Sequence, residues 1–222
     1  MTHYSSVFLV VAFMLLPQNG LSGTKLPLRQ SVLEEADRIL NLANVSYVYG
    51  GKQLGHSSHC DACTSCLSEK VPQKNRRLEV CPVCRSCSLD CSHFVSLVFT
   101  QAGLRAPYLT TSQMRDLPTD TLRRRYGWVN LGNRASRALP GDLLVYPGHV
   151  VIVEKVIKPG TGHVVHATSG KEVRGPGQGI QRQTLVTFKT YKGPLQKVLR
   201  HESLLKELRR TLSPKYGVRS KL

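Results

Sequence analysis

The chain has 222 residues and carries 31 Lys+Arg against 14 Asp+Glu, a formal charge of +17. With 41% hydrophobic and 20% charged residues, the composition is that of a globular rather than a disordered chain, and the length suits one domain of ordinary size with room for an insertion. The charge calls for an anionic partner, whether nucleic acid, an acidic membrane surface or an acidic polymer, and seven cysteines, all between Cys60 and Cys91, call for an account of their own.

Residues 1–23 read as a signal peptide. Val7 to Leu16 is an unbroken apolar run, followed by Pro17 and by small residues at Gly20 and Ser22. The run is shorter than the roughly 20 residues a membrane-spanning helix needs. No Lys or Arg precedes it, which leans toward a eukaryotic secreted protein, as does the sequon Asn44-Val45-Ser46. Removal of this segment leaves the +17 intact, and export takes the thiols into an oxidising compartment.

Ser31 to Ala43 is expected as a helix, capped by Ser31, with Val32, Leu33, Ala36, Ile39, Leu40 and Ala43 as its apolar stripe. Tyr47-Val48-Tyr49-Gly50-Gly51 is a short extended piece ending in a glycine turn. Residues 52–89 hold few large apolar residues and six cysteines, and read as a loop-rich insertion. Cys91 opens a second helix, with Phe94, Val95, Val98, Phe99 and Ala102 recurring on one face and Gly103 as its stop. Asp142–Tyr146, His149–Val156, His163–Thr168 and Gln183–Tyr191 read as strands. Helices followed by antiparallel strands give an α+β fold. Residues 192–222 hold nine Lys/Arg and two Glu, a net +7, and read as a basic, partly helical tail with a stripe of Leu195, Val198, Leu199, Leu205, Leu208 and Leu212.

Six of the cysteines form two identical triplets, Cys60-x2-Cys63-x2-Cys66 and Cys81-x2-Cys84-x2-Cys87. Export favours three disulfides. Six cysteines allow 15 pairings, and the symmetry of the triplets suggests pairing from one triplet to the other. The alternative is a zinc site with His56 and His59 as further ligands. The seventh, Cys91, is left free at a helix start, where partial positive charge lowers a thiol pKa and favours a nucleophile. A thiol nucleophile needs a base in reach and a group to orient that base. His149 opens one strand, and His163 and His166 lie on the next. The length of the turn at Pro159-Gly160 decides which of the two shares a face with His149, and parity alone leaves both open.

The segments YVYGG (47–51), DCSHFVSLVF (90–99), LPGDLLVY (139–146), GHVVIV (148–153) and HVVHATSG (163–170) occur in this order. Together they resemble the motifs of the NlpC-type cysteine peptidases, papain-like cell-wall hydrolases, over roughly residues 31–190. The resemblance implies a papain-like fold with the nucleophile helix packed on a central antiparallel sheet. Its peptidase domain would cover residues 24–191, interrupted by the Cys-rich insertion 52–89. It implies Cys91 as nucleophile, His149 as general base and His166, which Ala167 and Thr168 follow, as the orienting third residue. Asp90, Ser92 and Tyr49 would meet the substrate, Asp90 through its free amine. Two positions depart from the family pattern: His93 stands where the family has a small Gly, and Val151 stands after His-Val where Gly is usual.

The expectation is therefore a secreted cysteine peptidase acting on peptidoglycan stem peptides at the γ-D-glutamyl–diaminopimelate bond, with an antibacterial role. No cofactor or resident metal is called for. The +17, and the tail above all, would hold the enzyme to an anionic cell envelope, with no nucleic-acid partner and no membrane span. Two other readings remain: an N-acetylmuramoyl-L-alanine amidase with the same machinery, and a non-catalytic binder of anionic polymers built around a zinc-binding cysteine module.

Overall fold

The computed structural model describes residues 27–42, 44–70, 72, 76–169 and 177–212. The expected signal peptide, Ala43 and the chain beyond Leu212 lie outside them.

Helix α1 (Leu28–Leu40) buries Val32, Ala36 and Ile39. It starts three residues before the expected position, and Ser31 is not its cap: the Ser31 hydroxyl bonds back to the Pro27 carbonyl. The free N–H groups of Leu28 and Arg29 donate to the Glu207 carboxylate at 2.7 and 3.3 Å. An acidic side chain from the far end of the chain thus caps the first helix, where the helix dipole favours it.

The excursion between residues 52 and 89 is closed at its base. Strand β1 (Lys52–Gln53) pairs antiparallel with β2 (Ser88–Leu89). Between them, the expected loop is largely helical: α2 spans Ser57–Lys70, and a 3-10 turn covers Pro82–Arg85. Cys60, Cys63 and Leu67 recur along α2 at helical spacing and are buried. The cysteines supply the apolar stripe that the segment otherwise lacks. Three disulfides join the triplets as a nested ladder, Cys60–Cys87, Cys63–Cys84 and Cys66–Cys81. The Cys63–Cys84 and Cys66–Cys81 bridges pack with Val48, Leu67 and Leu78 into a small core of their own.

Helix α3 (Cys91–Gln101) follows directly. Asp90 is its N-cap and accepts from the backbone N–H of His93, a contact of about 1 kcal/mol. Gly103, at φ +81°, turns the chain away just past its end. Two short helices that the sequence reading passed over come next, α4 (Thr111–Asp116), with a Thr110/Gln113 capping box, and α5 (Thr119–Tyr126).

The sheet has six strands in the order β3-β8-β4-β5-β6-β7, all neighbours antiparallel. Its members are β3 (Trp128–Asn130), β4 (Leu143–Tyr146), β5 (His149–Lys158), β6 (Thr161–Ala167), β7 (Ile180–Thr187) and β8 (Lys197–His201). The fold is α+β, with α3 packed on β5 and β6. One core lies between α1, α3 and the sheet face bearing Leu143, Val145, Val150, Ile152 and Val165. A second, around Leu144, Tyr146, Val151, Val153, Val164 and Phe188, covers the opposite face.

The tail boundary at residue 192 needs correction. Leu195, Val198 and Leu199 do not lie on a helix. Val198 and Leu199 belong to β8, which sits inside the sheet between β3 and β4, and all three are buried. Helix formation begins only at α6 (Glu202–Leu212). Arg200 of β8 also closes a buried ion pair. Its Nε and Nη2 each donate to Asp142 at 2.8 Å, and Asp142 accepts from the Leu139 N–H as well. Asp142 is fully buried. Burial pushes its carboxyl up, and the Arg200 guanidinium opposes that shift.

Candidate active site

Cys91 is the free cysteine; the other six are bridged. With all six sulfurs in disulfides, none is available as a zinc thiolate. Among the described residues, no cluster of His, Cys, Asp and Glu is arranged to hold a metal.

The Cys91 side chain opens into a cleft of about 300 Å³ lined by Tyr47, Tyr49, Gly50, Asp90, Ser92, Tyr108, Thr110, Thr111, Ser112 and Gly148. The expected residues Tyr49, Asp90 and Ser92 therefore share a wall with the thiol. Tyr49 stands at the rim, 70% exposed. A larger cavity of about 590 Å³, between the start of α1 and α6, contains neither cysteine nor histidine.

The histidines come from the hairpin β5–β6. Lys158 pairs with Thr161, which leaves the two-residue turn Pro159-Gly160. Two register shifts, at Val153/Lys155 and Val156/Lys158, interrupt the ladder. Each bulge flips the side-chain alternation, and two of them restore it. His149 and His166 end up on the same face, with Nε2 of His149 2.7 Å from Nδ1 of His166 and the rings crossed at 83°. His163 turns instead toward Glu154, 4.0 Å away on the protein surface. Beyond His166, the Tyr191 hydroxyl lies 3.0 Å from its Nε2. The row is therefore His149, His166, Tyr191. The sequence reading placed Tyr191 only as the end of a strand from Gln183; β7 instead stops at Thr187, and Tyr191 lies in the connection to β8.

Cys91 belongs to the core on the α3 face, whereas the histidine row lies with Val151 and Val164 on the other. The junction is the start of β5. His149 opens that strand, and the backbone N–H of the next residue, Val150, reaches the Cys91 sulfur, joined there by the N–H groups of Cys91 and Ser92.

The electrostatics differ from the expectation of a lowered thiol pKa at a helix start. Burial pushes the Cys91 thiol up to about 12, and the Asp90 charge adds to the shift; the three N–H groups oppose it without prevailing. Burial also takes His149 down to about 3 and His166 well below its ordinary range, and the nearby Lys192 ammonium pushes both the same way. At neutral pH the Cys91 thiol and the His149 imidazole are each uncharged, and among the described residues no hydrogen bond joins the two.

Asp90 is strongly engaged. Oδ1 accepts from the Ser92 hydroxyl at 2.9 Å and from the His93 N–H at 2.8 Å, and His93 Nδ1 lies 3.0 Å away. Burial raises the carboxyl, but these contacts outweigh it and hold the group below its ordinary value. His93 also stacks on Tyr108 with ring centroids 3.9 Å apart. The residue that replaces a family glycine thus fastens one cleft wall to the helix start.

No protein-family model and no curated protein matches the chain.

Proposed function

We propose that the protein is a secreted cysteine peptidase of the NlpC type that hydrolyses peptidoglycan stem peptides, at the γ-D-glutamyl–diaminopimelate bond. The observation that carries this reading is the placement of the lone free thiol, Cys91, at a helix start in an open cleft, beside a strand whose first residue is half of a hydrogen-bonded histidine pair. A structural cysteine needs neither the cleft nor the pair. The packing of α3 on an antiparallel sheet agrees with the papain-like architecture of that family.

The proposed mechanism starts from an uncharged thiol and an uncharged imidazole, brought into reach of each other around the bound substrate. Sγ of Cys91 attacks the peptide carbonyl carbon as its proton passes to His149, which acts as general base. The N–H groups at the helix start and at Val150 face the developing negative charge. His149 then protonates the leaving amine, an acyl-enzyme remains on Cys91, and water, deprotonated by the same histidine, releases the acid. Asp90 and the hydroxyls of the cleft receive the substrate's amine end.

The three disulfides fit an oxidising, extracellular location. Among the described residues, no helix is long and apolar enough to cross a membrane. The +17 would concentrate the enzyme on walls rich in carboxylate and phosphate.

The deciding experiment is digestion of purified peptidoglycan followed by identification of the newly exposed amino groups. New amino groups on diaminopimelate support the endopeptidase. New amino groups on L-alanine assign the amidase instead. No release by wild type at any pH from 5 to 9 rejects hydrolysis of this polymer.

A further inference from the structure

We propose that the Cys-rich insertion supplies a carboxylate-binding subsite beside the Cys91 cleft, in which Lys52 and Arg85 receive a carboxylate of the bound stem peptide. The proposal rests on the reading of that cleft as the place where a stem peptide binds.

A cavity of about 280 Å³ is lined, among the described residues, by Gly50, Lys52, Leu78 and Arg85. Gly50 also lines the Cys91 cleft, so the two hollows share a wall. Of the four lining residues two are cations and none is acidic. Lys52 and Arg85 are exposed, and among the described residues neither side chain is taken up by an ion pair or a hydrogen bond. Their charges are therefore open to a ligand. The shared wall is thin: Gly50 turns the chain at φ +81°, and Leu78 lies 3.7 Å from where a side chain on it would begin.

The backbone under both cations is fixed. Lys52 pairs with Leu89 across β1 and β2, and the Gly51 carbonyl accepts from the Asp90 N–H at 2.8 Å. Lys52 is thereby tied to the residue that precedes Cys91. Arg85 ends the 3-10 turn Pro82–Arg85, between Cys84 and Cys87, which are bridged to Cys63 and Cys60 of α2. The disulfides thus hold an arginine of the insertion at a hollow that adjoins the cleft. The substrate chemistry suits this arrangement. A γ-linked glutamate spends its side-chain carboxyl on the peptide bond and keeps its α-carboxylate free, and diaminopimelate brings a carboxylate to the other side of that bond. Arginine and lysine hold such a group by charge-assisted hydrogen bonds, the arginine in bidentate fashion. Asp90 on one wall and the two cations beyond Gly50 then sort the amine end of the peptide from its carboxylates.

The test uses the full mature chain and three forms of the peptide L-Ala-γ-D-Glu-diaminopimelate-D-Ala: unmodified, amidated at the glutamate α-carboxylate, and amidated at the diaminopimelate carboxylate. Wild type should favour the unmodified peptide over one amide by about five- to tenfold in kcat/KM, as two exposed ion pairs allow, and the preference should shrink as salt is raised. The amide that is penalised identifies the carboxylate. In Lys52→Gln/Arg85→Gln the ratio should fall to within about twofold, and in Lys52→Glu/Arg85→Glu it should invert. Equal kcat/KM for all three peptides in wild type overturns the proposal, as does a preference that survives in Lys52→Gln/Arg85→Gln. The same ratios are measured as Kd by titration of the Cys91→Ala chain, with and without the two Gln substitutions. If wild type cuts none of the peptides, a Kd preference that Lys52→Gln/Arg85→Gln abolishes upholds the subsite and overturns only the hydrolysis. No Kd preference, or no binding, overturns the subsite.

Discussion

Asp90 caps the helix that Cys91 begins, so the carboxylate that orders the helix start is also the charge that lifts the neighbouring thiol. Cap and thiol are adjacent in sequence, and the cap that steadies the helix disfavours the thiolate. Asp90→Asn separates the two roles, because Asn caps as well as Asp but brings no charge. The variant should unfold within about 0.5 kcal/mol of wild type. Its Cys91 should react with iodoacetamide about three- to tenfold faster at pH 8, since one unit of pKa is a factor of ten in thiolate. An alkylation rate equal to wild type would remove Asp90 as a cause of the raised thiol.

The uncharged Cys91 thiol makes a second prediction. A thiol raised from 9.0 to about 12 has about a thousandfold less thiolate at pH 7. Folded Cys91 should therefore alkylate far more slowly than the same cysteine in urea, under non-reducing conditions where the other six are bridged. Fast alkylation in the folded state, with an acidic midpoint, would indicate a thiolate–imidazolium pair instead.

Stability should fall on acidification. Burial lowers His149, His166 and His201 below their ordinary 6.5. Between pH 6.5 and about 3 the unfolded chain binds protons at these rings that the native chain refuses, so unfolding becomes easier as pH drops. The limit is about 1.4 kcal/mol per pH unit for each proton. Melting temperatures measured from pH 7 to 4 should decline, and the decline should be shallower in a His149→Gln/His166→Gln double variant. A pH-independent melting temperature over this range would contradict the burial of the neutral rings.

Arg200 supports the centre of the sheet. Arg200→Ala leaves Asp142 buried without its partner and should cost about 3–5 kcal/mol by urea unfolding. Asp142→Asn in the same chain should recover part of that loss. A single variant within about 1 kcal/mol of wild type would show that the pair is not closed in solution.

The disulfide ladder is checked by intact mass and peptide mapping. Reduction should add two hydrogens for each of three bridges, and every cross-linked peptide should join one triplet to the other. A bridge within a triplet would refute the nested arrangement.

Helix α3 was legible in the sequence because its apolar stripe and its Gly103 stop agree. Strands β4 to β6 were legible from their Val and Ile content. Helix α2 was not, because two of its three buried residues, Cys60 and Cys63 beside Leu67, are cysteines, which count as cross-links before they count as apolar surface. Strand β8 was misread because Leu195, Val198 and Leu199 also fit helical spacing, and a short apolar run takes its form from its neighbours in the sheet. The choice of His166 over His163 could not come from counting residues. It depends on two bulges in β5 that cancel each other's effect on alternation. Tyr191 was expected only as the end of a strand, and its contact with His166 arises because the chain after β7 returns it to a ring 25 residues earlier.

In the insertion, no bridge crosses another: each of the three lies wholly inside the next, with sequence separations of 15, 21 and 27. Such a pattern needs no threading of one loop through another. Once Cys66 finds Cys81, each further pair has only a few more residues to bring together, and the entropy of closing it is small. The ladder can therefore form from its tip to its base like a zipper. Its last rung, Cys60–Cys87, ends at the cysteine that precedes Cys91 in the sequence, so the ladder closes without drawing on the free thiol.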